Sequence, residues 1–349
     1  MIREEVAQGI PRNLLSSLFL PLIFFVYYMS DMTGAGRYAP SPSGRMHLGN
    51  IFSALIAWLS ARTDGERFIL RIEDLDPQRS KREYARLIED DLQWLGLDFD
   101  EGGLGDKGDF GPYSQSLRHH LYDEALNRLQ DAGMTYPCRC TRAELLATQA
   151  PHASDGRRIY PGTCRPPHMP TREINTLPDV THATRLYLPD EDVCFVDEVF
   201  GQQRINLARE FGDIVLQRAD GAWAYQLAVV VDDALMGVRR VVRGHDLLSS
   251  SAPQIYLHRL LGFEPPKFLH VPLICNSEGK RLSKRDGDLN MESLRKKYSP
   301  EQIIGYLGYL SGLLPSPEPI TSADLLPLFS SSKIPRTPQL ILPEELILP

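Results

Sequence analysis

The sequence predicts an α/β fold built on a parallel sheet, and three adjacent stretches near its start carry that prediction. Gly36 to Pro40 reads as a short strand that runs into a proline- and glycine-rich turn, GRYAPSPSG. A helix follows, because Leu48, Ile51, Phe52, Leu55, Ile56 and Leu59 recur at helical spacing and make one apolar face. Arg67 to Ile72, RFILRI, then reads as a buried strand. Strand, glycine turn, helix and strand form a βαβ unit, whose strands lie parallel. Ligands of such sheets bind at the carboxyl ends of the strands. Ser41 to Asn50 and the Glu73-Asp74 pair therefore share one rim.

The remaining elements follow in order. A second helix is expected over about Pro77 to Leu95, then a glycine-rich loop, Gly102 to Gly111, that reads as mobile, and a third helix from Ser116 to Asp131. An insertion, about Tyr136 to Thr181, holds three bunched cysteines and many prolines. Strand signals return at Thr184 to Leu188, Cys194 to Val199 and Asp213 to Arg218, and again at Arg239 to Val242 and Phe268 to Ile274. A helix over Ala252 to Leu261 separates the last two. Eight prolines after Leu314 predict an irregular or loosely packed tail. The expected divisions are an N-terminal extension (1–33), the first half of a catalytic domain (34–135), the insertion (136–181), a segment completing the catalytic domain (182–290) and a short extension (291–349).

A chain of 349 residues with 42% hydrophobic and 24% charged residues can bury a sizeable core. A net charge of −7 argues against nucleic-acid binding by bulk charge, though it leaves room for local basic patches. Arg239, Arg240 and Arg243 form one basic cluster, and Lys280, Arg281, Lys284 and Arg285 another; taken alone, each reads first as a solvated face. Five cysteines, three of them bunched, do not form a disulfide framework and point to a reducing, cytoplasmic setting with some thiols on a metal. Leu14 to Met29 is apolar but short for a membrane span and contains Pro21. No cleavage site follows it, so an over-extended start before Met32 is expected, with a membrane anchor as the alternative.

Two segments carry chemistry. In Pro40-Ser-Pro-Ser-Gly-Arg-Met-His47-Leu-Gly49-Asn50, Gly49 lets a nucleotide approach the backbone, and the helix start offers free N–H groups and a positive dipole end. His47 can donate to a phosphate oxygen, or simply cap the helix. In Gly279-Lys-Arg-Leu-Ser283-Lys284-Arg285-Asp286-Gly287, cations and glycines follow a strand, a composition that stabilises a leaving pyrophosphate.

Together, APSPSG-x-x-H-x-G early and K-x-LSKR late resemble the class I aminoacyl-tRNA synthetases, which bind ATP on a doubly wound sheet. GRYAPSPSG, RIEDLDP, YQLAVVVDD and VRGHDLL are similar to the glutamyl-tRNA synthetase versions, in order, over Gly36 to about Gly312. After Lys284 only 65 residues remain, so no large helical anticodon-binding region is expected. Cys138-x-Cys140, nineteen residues, Tyr160, three residues and Cys164 resemble the shortened glutamyl-queuosine tRNA(Asp) synthetases, in which three cysteines and a tyrosine hold zinc. Thiolates suit a closed structural zinc site. The phenolate is the unusual ligand, and His152 or His168 is an alternative.

The resemblance implies site roles. Arg37, Tyr38, Ala39, Pro40, Ser41, Glu73, Tyr225 and Arg243 would bind L-glutamate. Glu73 would pair with the ammonium, while Arg37 and Arg243 would each grip a carboxylate in bidentate fashion; structural ion pairs are the alternative for both arginines. His47, Gly49, Asn50, Arg281, Ser283 and Lys284 would bind ATP with Mg2+, and His47 and Lys284 would offset charge in the transition state. Arg281 stands where lysine is usual. The implied reaction is tRNA-independent formation of glutamyl-adenylate, then transfer to queuosine at the wobble position of tRNA(Asp). Charging of a tRNA 3′ end, a non-catalytic RNA-binding role and a small-molecule ligase are the rivals. A monomer with no membrane partner is expected.

Overall fold

The computed structural model describes residues 34–141, 159–171, 181–282 and 289–343. Its centre is a sheet of seven strands in the order β3-β2-β1-β9-β10-β6-β7. Strands β1 (Ala35–Tyr38), β2 (Arg67–Leu70) and β3 (Glu101–Gly102) run parallel, as do β6 (Asp192–Asp197), β9 (Val238–Gly244) and β10 (Lys267–Val271). Only β7 (Gly201–Asn206) is antiparallel, closing a hairpin with β6. Its polar sequence GQQRIN gives no strand signal, and it lies at the sheet edge. A smaller antiparallel sheet joins β4 (Thr135–Cys138), β5 (Ala183–Leu186) and β8 (Ile214–Gln217) and carries the bunched cysteines.

Both faces of the large sheet are covered, which makes the fold doubly wound. Alternation along the strands sends Phe68 and Leu70 to one core and Ile69 to the other. The first face receives α1 (Leu48–Thr63), α2 (Arg82–Trp94), α6 (Met291–Lys297) and α7 (Pro300–Leu310). The second receives α3 (His119–Asp131), α4 (Tyr225–Leu235) and α5 (Ser251–Leu260). Helix α4 is the YQLAVVVDD segment: an apolar run of Leu227 to Val231 buries its middle, and Gly237, in the left-handed region, follows its end.

Three expectations change. Phe268 to Ile274 is two strands, because Pro272 separates β10 from β11 (Leu273–Cys275), which joins another sheet. The glycine-rich loop is tied down: Tyr113 N donates to Asp106 at 2.6 Å, and the Tyr113 hydroxyl donates to Glu101 at 2.5 Å. The tail is irregular and largely exposed, but it is anchored at intervals. Its prolines interrupt helices, yet Leu325, Ile334 and Leu342 between them bury in the first core. Strand β12 (Gln339–Ile341) then pairs in parallel with β11. Among the described residues, no helix is long and apolar enough to cross a membrane; Leu14 to Met29 lies outside them.

Candidate active site and cysteine cluster

The strand order reverses between β1 and β9, since β2 and β3 lie on one side and β10, β6 and β7 on the other. A crevice opens outside the carboxyl ends of strands at such a reversal. Arg37 and Tyr38 end β1, Glu73 lies just past β2, and Arg243 and Gly244 end β9. These residues line one cavity of about 820 Å³ together with Ala39, Pro40, Ser41, Tyr225, His47, Gly49, Asn50 and Arg281. The sequence-predicted residues that can be described are therefore brought together. Ser283 and Lys284 lie outside the described residues.

One end of the cavity is charged and held by side chains. Arg37 donates from Nε to Asp233 and from Nη1 to the Val242 carbonyl, each at 3.1 Å. Its Nη2 has no hydrogen-bond partner among the described residues. Asp233 also pairs with Arg71 at 2.7 Å. Burial would raise the Asp233 carboxyl, but Arg37 and Arg71 hold it at about 2. Arg71 reaches Glu73 at 3.4 Å. Burial pushes the Glu73 carboxyl up, outweighing Arg71 and Arg37. Asp232, fully buried, accepts from Arg118 at 2.6 Å, Gln115 at 2.8 Å and Tyr122 at 2.9 Å.

Asp232, Asp233, Arg71 and Arg118 were not among the candidates read from sequence. The signal was present: two adjacent acids near the carboxyl end of an otherwise apolar helix oppose its dipole and need buried cations. The expected bidentate grip by Arg243 does not match its geometry. All five of its N–H groups already have protein acceptors: His270 Nε2, the Tyr225 hydroxyl, Gln254 Oε1, the Leu247 carbonyl and the Ser251 hydroxyl, at 2.8–3.3 Å.

The other end is built from backbone. His47 caps α1: its Nδ1 accepts from Gly49 N, and its own N–H donates to Asn50 Oδ1, each at 3.1 Å. The cap and the cavity-lining position are thus one residue, and an accepting Nδ1 places the neutral ring's proton on Nε2. A Cβ on Gly49 would lie 3.1 Å from the His47 ring, so glycine keeps this turn tight. Leu282 N donates to Ile274 O at 3.1 Å, and Met291 N to Met46 O at 2.9 Å. The strand that leads into the basic loop and the helix that follows it are thereby fixed beside His47. Arg281 pairs with Asp246.

In the smaller sheet, the sulfurs of Cys138, Cys140 and Cys164 lie within 4.8 Å of one another. The Cys140–Cys164 separation is 3.5 Å, near the roughly 3.8 Å edge of a tetrahedron with zinc–sulfur bonds of about 2.3 Å. The Tyr160 hydroxyl sits 3.5 Å from Cys138 and 3.9 Å from Cys140. Arg185 lies 3.7 Å above the Tyr160 ring, a cation–π contact that holds the ring beside the thiols. The donor set fits a thiophilic cation with four protein ligands. His168 is not part of the cluster, and His152 lies outside the described residues.

A doubly wound sheet with a nucleotide-type helix start and fixed cations around one crevice defines an amino-acid-activating ligase of the class I synthetase type. Residues 35–317 match the family described as tRNA synthetases class I (E and Q), catalytic domain. The chain is 50% identical over 308 residues to the Glutamyl-Q tRNA(Asp) synthetase of Symbiobacterium thermophilum, covering 87% of this chain and 94% of that protein. It is 44% identical over 308 residues to the Glutamyl-Q tRNA(Asp) synthetase of Deinococcus radiodurans, covering 85% and 97%. The chain belongs to the Glutamyl-Q tRNA(Asp) synthetase family of aminoacyl-tRNA synthetase-like ligases. Against the Glutamate--tRNA ligase of a Sulfurihydrogenibium species the identity is 39%, over 78% of this chain but only 57% of the relative. A solved glutamate tRNA ligase from Elizabethkingia meningosepticum, in complex with its amino acid, matches with a TM-score of 0.73 at 27% identity, over 88% of this chain and 66% of that one.

Proposed function

We propose that the chain activates L-glutamate with ATP and Mg2+ as glutamyl-adenylate in the absence of tRNA, then transfers the glutamyl group to queuosine at the wobble position of tRNA(Asp). One observation carries the first half. A single cavity joins Arg37, Glu73, Tyr225 and Arg243 at one end to His47, Gly49, Asn50 and Arg281 at the other. Glu73 faces the substrate ammonium, and the free Arg37 Nη2 takes a carboxylate. The α-carboxylate oxygen attacks the α-phosphorus of ATP, and the bond to pyrophosphate breaks. The α1 start, the His47 Nε2–H and Lys284 offset the charge that develops on the phosphates. Mg2+, bound with ATP, supplies further charge neutralisation. A hydroxyl of the acceptor then attacks the activated carbonyl, and AMP leaves.

Preorganisation supports independence from tRNA. Arg37, Glu73 and Arg243 are already fixed by Asp233, Arg71 and their neutral partners, so no partner macromolecule is needed to assemble the pocket. The acceptor assignment rests on the relatives that this chain matches almost end to end. Transfer of labelled glutamate to tRNA(Asp) with and without queuosine tests it. Labelling only of the queuosine-bearing tRNA is expected, and labelling that ignores queuosine would instead assign the tRNA 3′ end. Cys138, Cys140, Tyr160 and Cys164 are assigned to one structural zinc. One zinc per chain is expected in the intact protein and none after Cys164→Ala; equal stoichiometry in both would sink that assignment.

A further inference from the structure

Arg243 differs from every other buried arginine at the site. Its side chain is 6% exposed, yet no carboxylate among the described residues contacts it. Arg37 and Arg71 share Asp233, and Arg118 is held by Asp232. The five acceptors around Arg243 are all neutral. Their orientations are fixed in turn: Gln254 Nε2 donates to Gln226 Oε1 at 2.8 Å, so its own oxygen must face Arg243. Burying a guanidinium without an anion is costly unless an anion arrives.

His270 shows how this is maintained. Its ring is fully buried on β10, between Asp197 at the end of β6 and Arg243 on β9. Asp197 Oδ2 lies 2.7 Å from Nδ1 and also accepts the His270 backbone N–H at 3.1 Å. Asp197 Oδ1 accepts from Val199 N and Phe200 N, so the carboxylate is anchored at both oxygens. Arg243 Nε lies 3.0 Å from His270 Nε2. Because Arg243 can only donate, Nε2 must carry the lone pair, and Nδ1 must carry the proton that Asp197 accepts. One tautomer of neutral histidine satisfies both neighbours.

We propose that Asp197 and His270 are positioning residues for substrate specificity: they orient Arg243 without neutralising it, leaving its charge for the side-chain carboxylate of the amino acid. This rests on the glutamate reading above. An aspartate directly against Arg243 would hold it equally well but cancel its charge. An imidazole interposed between the two gives the orientation and keeps the carboxylate one ring away. Arg243 acts on the substrate through the Tyr225 hydroxyl, which accepts from Nη1 at 3.3 Å and so aims its own proton elsewhere, on the cavity wall. Burial also lowers the Arg243 pKa, as expected of a buried cation lacking a contacting anion. Glutamine offers no charge to meet it, so the pocket favours glutamate by the electrostatic term alone.

The test is pyrophosphate exchange with glutamate and with glutamine in His270→Gln, His270→Glu and Asp197→Asn variants. His270→Gln retains a neutral acceptor and is expected to keep the glutamate-over-glutamine ratio of kcat/KM within about threefold. His270→Glu puts a carboxylate on Arg243 and should lower that ratio at least about tenfold, with the KM for ATP unchanged within twofold. In Asp197→Asn the amide can donate to Nδ1, turning the Nε2 proton against Arg243, and the KM for glutamate should rise about tenfold. This variant conserves shape and so keeps the test open should His270→Glu fail to fold. A folded His270→Glu protein whose glutamate-to-glutamine ratio equals that of the unsubstituted protein, or a folded Asp197→Asn protein whose KM for glutamate is unchanged, would overturn the proposal. Absence of any glutamate-dependent exchange in the unsubstituted protein would overturn the glutamate reading itself, and the proposal with it.

Discussion

The two ends of the cavity are held in place by different means. At the amino-acid end the functional groups are side chains locked by other buried side chains: Arg37 and Arg71 on Asp233, Arg118 on Asp232, and Arg243 on His270. At the nucleotide end the structure is mostly backbone: the capped start of α1, the Leu282–Ile274 and Met291–Met46 hydrogen bonds, and the β11–β12 pairing. A side-chain network fails when one member is removed, because its partner is left buried and unpaired. A backbone scaffold tolerates single side-chain changes and yields to changes of chain path.

The largest effect should come from Asp233→Ala, which strands two buried guanidiniums. It should cost about 3–5 kcal/mol in denaturant unfolding, and a loss under about 1 kcal/mol would contradict the network account. At the other end, His47→Asn separates capping from chemistry. Asparagine is a good N-cap, so stability should hold within about 1 kcal/mol. Pyrophosphate exchange should nevertheless fall about 10²–10³-fold, the cost of one transition-state donor; an unchanged rate would reduce His47 to a cap.

Acid should act first through the amino-acid end. Burial holds the His270 ring down at about 4, against the pull of Asp197, from an ordinary 6.5. A lowered folded-state pKa means the unfolded chain takes up the proton first as pH falls. The neutral ring's contribution is thus complete above about pH 6.5 and is lost between there and pH 4, by at most about 3 kcal/mol. His258, also held at about 4 by burial, adds to the same loss. Unfolding free energies measured from pH 7 to pH 4 should fall less steeply in His270→Gln; identical slopes would remove His270 from the account. The smallest effect belongs to the tail. Ending the chain at Pro335 removes β12, and should raise the KM for ATP about three- to tenfold while leaving the KM for glutamate within twofold. Equal rises in both would show that the tail supports the whole fold rather than the nucleotide end.

What could be read from the sequence follows the same division. Helix α1 and strand β2 are legible because their apolar residues are dense and become buried, on α1 well beyond the single face that the spacing predicts, and the GRYAPSPSG and HLGN segments declare their turns through glycine and proline. The Cys138–Cys140–Tyr160–Cys164 spacing is legible because its donors lie close in sequence. Asp197, Asp233 and His270 were not, because a buried partner is chosen by tertiary position: His270 meets Asp197 across 73 residues and Arg243 across 27. The packing of Leu342 was hidden in the same way, since prolines mark where helices stop but not where the chain between them goes.

The most direct test of the central claim is pyrophosphate exchange measured with purified protein, ATP and Mg2+ and no tRNA, comparing glutamate with glutamine. A pocket already assembled by its own buried partners should support exchange with glutamate and discriminate against glutamine. Exchange that requires added tRNA, or that proceeds equally with glutamine, would contradict it.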